Sequence, residues 1–436
     1  MKIFLADYMK HISLQETLLK QGNTIYIHYN SEFNKDVEPF FGKEVFNCGL
    51  AEKYPNKYLI ADDTDSIEKA VQECDFGMLI ALPFLNTSAI EEMFVKHNKV
   101  LINSTKFSPR KLELDRFYAK SLDLGFDKAD CITVTKDNYK NIPLKKNRYV
   151  IKPLNEINSD INYMLRTVIT NNNDELLSIL DKDLYGHLKS GGAVLEEYID
   201  CDEIDCSFYW DGSKIVGDVI FAHKEYKGVL DNNRTNTLSD ECGAVIYPLM
   251  LSRLSEKTLT IVNKVCSYIK KESPNHKGFI GLGLIVKESN IYLLEITVRA
   301  GDPTESAISR IVDYTEFLRC VATGDTYTRD INSQYNVFVG MFPYGMPYNL
   351  GTSVKRKVKD QNVLDSLIIN GLCYKEGVAY YTEFAVSILC VGMDSDITRA
   401  IHSAYKVLHK VDDNTLIYRN DIGNGFLKSL YNILGK

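Results

Sequence analysis

The stretch that most constrains what this chain can fold into is GFIGLGLIVKESNIYLLEITVRAGDPTE, residues 278–305. Two apolar runs, 279–286 and 291–298, flank Lys287-Glu288-Ser289-Asn290, which is rich in turn formers. Runs of that length around such a turn predict a β-hairpin of two largely buried strands. One carboxylate, Glu295, interrupts the second run, and Arg299, Asp302 and Glu305 follow at its end. A charge among apolar strand residues is costly to bury unless it meets a partner or a metal ion. Glu295 therefore belongs either to a charged site or to a solvated sheet face, and the charged residues after it favour the site.

The opening of the chain narrows the fold class. An apolar run at 2–6 is followed by a helical pattern through Leu14, Leu18 and Leu19 that ends at Gly22, then by a second run at 24–28. That β-α-β order predicts a parallel sheet and an α/β protein. Further buried strands are expected at 76–85 and 99–102. With 436 residues, 45% of them hydrophobic, two to four core-bearing units are expected. A net charge of -7 argues against a general nucleic-acid binder. Ten cysteines are scattered without a C-x-x-C, which suggests reduced thiols rather than a zinc site or a disulfide framework. No apolar run of signal or membrane-spanning length occurs, so a soluble, cytoplasmic protein is expected.

Leu294-Glu295-Ile296-Thr297-Val298-Arg299-Ala300-Gly301-Asp302-Pro303 resembles the E-F-N-A-R-F-G-D-P signature of phosphoribosylamine–glycine ligases. These are ATP-grasp enzymes that make glycinamide ribonucleotide in purine synthesis. The resemblance implies an ATP-grasp fold with an N-terminal Rossmann-like domain over residues 1–104. The ATP-grasp domain would then span 105–330, with a small lid at about 125–195, and a C-terminal α+β domain 331–436. ATP and Mg²⁺ (or Mn²⁺) are the implied cofactors. Glu295 takes the position of the metal carboxylate, and Thr297 replaces the family's Asn with a hydroxyl oxygen that still suits Mg²⁺.

Other segments extend the resemblance in order along the chain. Residues 112–120 are similar to the segment that opens the ATP-grasp module, and Arg116 stands where a lysine reaches the ATP phosphates. The alternative is a basic residue on a solvated helix face. Lys152, closing the run 149–153, takes the position of the fold's phosphate-binding lysine. Glu196, Glu197 and Tyr198 lie in the segment similar to the hinge that reads adenine through its backbone, and Glu203 falls where a carboxylate grips the ribose hydroxyls. The other reading of these acids is a charged strand edge. Asp211-Gly212 marks a tight turn into a strand at 215–221. His223 and Lys224 resemble a D-H-K motif, and Asn236-Thr237 part of a loop over the reacting centre. As a surface pair, His223 and Lys224 would do neither. Near the end, strands are expected at 337–342 and 384–391 and a helix at 396–409, and residues 418–423 match a Y-R-x-D-I-G string.

The departures fall on glycine loops. Where the family has glycines after the first strand, this chain has Asp7-Tyr8-Met9-Lys10-His11; the flap after Lys152 runs Leu154-Asn155-Glu156-Ile157-Asn158-Ser159-Asp160 without a glycine. Bulky side chains there keep a phosphate from backbone N–H groups. The reading that follows is an ATP-dependent carboxylate–amine ligase, joining an amino acid such as glycine to an amine other than phosphoribosylamine. Arg299 would pair with the donor carboxylate, Asp302 with an ammonium group, and Lys224 with phosphate or carboxylate oxygens; Arg299 and Asp302 pairing with each other is the structural alternative. The partners expected are small-molecule amino acids and amines, with no membrane or general nucleic acid, for a monomer or homodimer. Two alternatives remain open: a divergent phosphoribosylamine–glycine ligase that recruits Lys10, His11 or Arg399 for the ribose phosphate, and a non-catalytic ATP-binding protein.

Overall fold

The computed structural model describes the chain except for residues 8–10, 30–48, 81–86, 115, 155–167, 183, 202, 234–241, 301–303, 347–350, 370, 385, 412–413 and 436. Asp302, Lys10, the glycine-free flap from Asn155 onward and the Asn236-Thr237 loop lie outside the described residues, as does the side chain of Arg116.

Strands β1 (Lys2–Asp7), β2 (Thr24–Tyr29), β3 (Tyr58–Ile60), β4 (Phe76–Leu79) and β5 (Leu101–Ile102) pair in parallel in the order β3-β2-β1-β4-β5. Alternate residues of β1 are buried on opposite faces. Ile3 and Leu5 join the core that holds Ile12 and Leu18, while Phe4 and Ala6 meet Ile67, Ala70 and Phe94. Burial on both faces is why this strand reads as an unbroken apolar run.

A second, antiparallel sheet follows: β6 (Cys131–Val134), β7 (Tyr149–Pro153), β8 (Val168–Ile169) and β9 (Ala193–Glu197), ordered β6-β9-β7-β8. It has its own core of Val134, Tyr149, Ile151, Leu176, Leu180 and Leu195. Next come β10 (Glu203–Trp210), β11 (Val219–Glu225), β12 (Gly243–Met250), β13 (Gly278–Lys287), β14 (Asn290–Thr297) and β15 (Tyr335–Pro343). The last strands are β16 (Gly351–Lys357), β17 (Leu367–Ile369), β18 (Cys373–Lys375), β19 (Val378–Phe384), β20 (Ile388–Asp394) and β21 (Leu416–Tyr418). The largest sheet runs β14-β13-β10-β11-β12-β15-β20-β17, with β21 also pairing β15, so C-terminal strands extend the sheet that carries the hairpin. Strands β16, β19 and β18 form a small separate sheet.

The hairpin and the β-α-β opening stand as expected. Two strand expectations do not. Residues 215–221 are not one strand: Val216–Asp218 is a 3₁₀ turn, with Gly217 at φ 71° and Asp218 at φ 50°, and pairing resumes only at Val219. The left-handed backbone at both positions cannot continue a pleat. Residues 384–391 also divide, since β19 ends at Phe384 in the small sheet and β20 begins at Ile388 in the large one. The described cysteines are all free thiols, and no described helix is long and apolar enough to cross a membrane.

Candidate active site

The hairpin β13–β14 supplies one end of a floor. Glu295 lies opposite Gly283, Gly283 opposite Asp205 on β10, and Asp205 opposite His223 on β11. Directly opposed residues share a sheet face, as do residues two apart on a strand. One face therefore carries Glu203 and Asp205, His223 and Glu225, and Glu295 and Thr297. Between them Gly281 and Gly283 contribute no side chain. A Cβ at 283 would stand 3.1 Å from Asp205 Oδ1 and 3.4 Å from Glu295 Cγ, and one at 281 would collide with Thr297 Oγ1. The two glycines let the oxygens of Thr297 and Asp205 and the side chain of Glu295 approach β13 closely, which gathers oxygen donors of the kind that Mg²⁺ takes. Glu295 and Thr297 thus fit the ion that the sequence resemblance implies.

The charges on this face are crowded. Lys227 Nζ reaches Glu203 Oε1 at 3.2 Å and Glu225 Oε2 at 2.7 Å. Burial alone would lower the Lys227 pKa, but the carboxylates of Glu203, Glu225, Glu295 and Asp205 drive it well above its ordinary value. Burial together with Glu225 and Glu203 pushes the Asp205 carboxyl well above the usual range. His223 is only 2% exposed, and its Nδ1 is 3.8 Å from both Asp205 Oδ2 and Glu225 Oε1. Lys224 is buried too, but strand alternation sends it to the opposite face, where its ammonium lies 5.7 Å from the Tyr226 ring centroid. The structure does not bring Lys224 to Glu295.

On the second sheet, β7 and β9 are neighbours and set Lys152 opposite Val194, beside Glu196. Lys152 Nζ donates to Glu196 Oε2 at 2.8 Å, and Lys120 Nζ to Oε1 at 2.6 Å. Burial would raise the Glu196 pKa, yet the two ammonium groups hold it below the ordinary value. Sequence reasoning brought Lys152 and Glu196 to the site but assigned Lys120 nothing, although it closes the quoted segment at 112–120. Glu197 pairs with Lys146 at 2.7 Å, and the Arg148 guanidinium lies 3.9 Å from the centroid of the Tyr198 ring. The hinge amides are engaged by the chain itself: Glu197 N–H donates to Asp130 O at 2.9 Å, and Tyr198 N–H to Arg148 O at 3.3 Å.

Arg299 pairs with Glu113, at 3.2 Å from Nε to Oε1, beside a small cavity also lined by Asn103, Thr105, Ser108 and Arg110. At the end of β1, the fully buried Asp7 carboxylate accepts from Gln15 Nε2 at 2.7 Å and lies 3.0 Å from His11 Nδ1. Arg399 is occupied by Asp394 at 2.9 Å. Within electrostatic reach of His11, Tyr209 O–H donates to the buried Glu305, whose carboxyl burial pushes up to about 7.

The family described as phosphoribosylglycinamide synthetase, ATP-grasp (A) domain matches residues 144–305, the stretch that holds Lys152, Glu196, the floor and the hairpin. The chain is an ATP-grasp protein distantly related to phosphoribosylamine–glycine ligase. The phosphoribosylamine–glycine ligase of Fusobacterium nucleatum subsp. nucleatum is 26% identical over 247 residues, covering 55% of this chain and 57% of that relative. The chain therefore matches little more than half of that relative's length. Among solved structures, the phosphoribosylamine–glycine ligase of Thermotoga maritima aligns over 96% of this chain and 99% of its own at a TM-score of 0.67 and 18% identity. The N5-carboxyaminoimidazole synthetase of Staphylococcus aureus, solved with ADP, aligns over 94% and 96% at 0.57 and 13%. These likenesses extend the ATP-grasp architecture over nearly the whole chain.

Proposed function

We propose that this chain is an ATP-dependent carboxylate–amine ligase, and that its reaction is the one named for its relatives, the joining of phosphoribosylamine and glycine. The comparisons support this acceptor better than the different acceptor expected from the missing glycine loops. The observation that carries the ligase reading is the glycine floor over which Glu295 and Thr297 gather, which lies inside the matched stretch.

The chemistry follows from what a carboxylate lacks. Oxide is too poor a leaving group for direct amide formation, so the acid must first accept the γ-phosphoryl group of ATP; the acylphosphate then loses phosphate to an attacking amine. Lys152, held by Glu196, positions positive charge for the phosphates, with Arg116 as a second cation. Glu203 is assigned the ribose hydroxyls, and the hinge at Glu196, Glu197 and Tyr198 the adenine, through backbone groups other than the Glu197 and Tyr198 amides that the chain itself engages. Glu295 and Thr297 would hold Mg²⁺, which when bound would supply charge neutralisation on the transferring phosphoryl group. Arg299 is assigned to the donor carboxylate, exchanging Glu113 for it, and Asp302 to the ammonium group of glycine. Exclusion of water protects the acylphosphate from hydrolysis. Lys224 has no role in these steps, because it points away from the floor.

One observation favours a second reading with another amine. At the end of β1, where an α/β sheet receives phosphate, stands the buried Asp7 carboxylate. A carboxylate there repels a phosphate. The deciding experiment is ADP release from ATP and Mg²⁺ with glycine, with and without phosphoribosylamine generated in place. Release that requires both substrates is expected. Release with glycine and another amine, but not with phosphoribosylamine, establishes the second reading; no release with any amino acid and amine ends both.

A further inference from the structure

We propose that Asp205, His223 and Glu225 form a second divalent-cation site, separate from Glu295 and Thr297, that takes an imidazole-accepting ion such as Mn²⁺, Co²⁺ or Zn²⁺ in preference to Mg²⁺.

The first ground is ligand geometry. One donor atom from each of the three residues falls within 4.8 Å of the other two. His223 Nδ1 faces both carboxylates at 3.8 Å, which is too long for a hydrogen bond. Two donors on one ion stand about 3 to 3.5 Å apart, given metal–ligand distances near 2.1 Å. A shift of a few tenths of an ångström in either carboxylate oxygen closes its own gap to the imidazole.

The second ground is how each carboxylate is divided. Glu225 commits Oε2 to Lys227 at 2.7 Å and turns Oε1 toward His223. Asp205 turns Oδ2 toward the imidazole, while its Oδ1 overlooks the space that a side chain at Gly283 would fill. The third is charge. Glu203, Asp205 and Glu225 share one face, and Lys227 stands between Glu203 and Glu225, so a cation seated among Asp205, His223 and Glu225 meets charge of the opposite sign.

The donor set selects the ion. Mg²⁺ favours all-oxygen coordination and holds its waters, whereas one imidazole with two carboxylates suits borderline first-row ions. The inference deepens the ligase reading, because this face also carries Glu203 and Glu295. Its test, however, reads ion binding with no nucleotide, acid or amine present, so either reading can fail without the other.

The experiment is a Co²⁺ titration of the nucleotide-free full chain, followed by calorimetry and by visible absorption, with NMR for paramagnetically shifted imidazole signals. One Co²⁺ per chain with a shifted imidazole signal is expected, displaced by Zn²⁺ and not by equimolar Mg²⁺. His223→Asn and Glu225→Gln should each weaken uptake at least about tenfold, while Glu295→Ala retains it. Thermal melting of each variant identifies any that fails to fold, in which case the wild-type imidazole signal and the remaining variants decide. No stoichiometric uptake, uptake without an imidazole signal, or uptake lost in Glu295→Ala but kept in Glu225→Gln would overturn the proposal.

Discussion

At the scale of single residues, the most informative group is the Lys152–Glu196–Lys120 triad. A lysine ending a buried strand announces itself in sequence, because an apolar run seldom closes on a charge without a use for it. Lys120 does not announce itself, since its partner Glu196 lies 76 positions away and only folding joins them. Hydrogen bonds from both ammonium groups to one buried carboxylate fix the two lysines in direction, which is what a phosphate site needs before its ligand arrives. Lys152→Ala should therefore weaken ATP binding by about tenfold to a hundredfold, the loss of one charged hydrogen bond. The fold should persist, because Lys120 still neutralises Glu196. Calorimetric titration with ATP and Mg²⁺ checks this, and an unchanged affinity removes Lys152 from the phosphate site.

At the scale of elements, the hairpin was legible because its two apolar runs and its turn are local signals. The floor was not. Glu203 and Asp205 show period-two spacing on one strand, and His223 and Glu225 on another, but their meeting depends on the register of β10 against β11 and β13. No local pattern states that register. The same blindness hid the glycines, which read as small residues in an apolar run until β14 sets Thr297 opposite Gly281 and Glu295 opposite Gly283. Gly281→Ala is the test of that floor. The added methyl group collides with the Thr297 hydroxyl and must turn it out of place or shift β14, an overpacking cost of about 1–3 kcal/mol. The Mg²⁺ concentration for half-maximal ADP release should rise several-fold. An unaltered Mg²⁺ dependence separates Thr297 from the metal.

At the scale of the whole molecule, distant segments are tied by buried charge. Arg419, 1% exposed, forks onto Asp421 at 2.8 and 2.7 Å and donates to the carbonyl of Gly228. Asp421 in turn accepts from Asn232 N–H at 2.7 Å, and Asp231 from Asn420 N–H at 2.9 Å. The Y-R-x-D-I-G string was recognisable in the sequence, but its work is visible only here, as the clamp on the chain leaving β11. Arg419→Ala leaves the partly buried Asp421 carboxylate without its ion partner and should cost about 1–3 kcal/mol in urea denaturation. A loss under 1 kcal/mol would show that the clamp is ornamental to stability.

Two buried groups also contribute to the response of the whole fold to pH, in opposite directions. Burial raises Glu305 from 4.5 to about 7, so its contribution is fully present below 4.5 and is lost as pH rises toward 7. Burial lowers His276 from 6.5 to about 4, so its contribution is present above 6.5 and is lost as pH falls toward 4. Each shift corresponds to roughly 3 kcal/mol, and over the shared window the two nearly cancel. Glu305→Gln removes one arm. Against the wild type it carries a constant offset from the altered hydrogen bonding of the buried amide, plus a pH-dependent gain that is absent at pH 4 and grows to roughly 3 kcal/mol by pH 8. The difference between the two denaturation curves at those pH values isolates Glu305, because every other titrating group is shared. A difference that does not change with pH would mean that the Glu305 carboxyl titrates alike in the folded and unfolded chain, and that the Tyr209 contact holds an ordinary carboxylate.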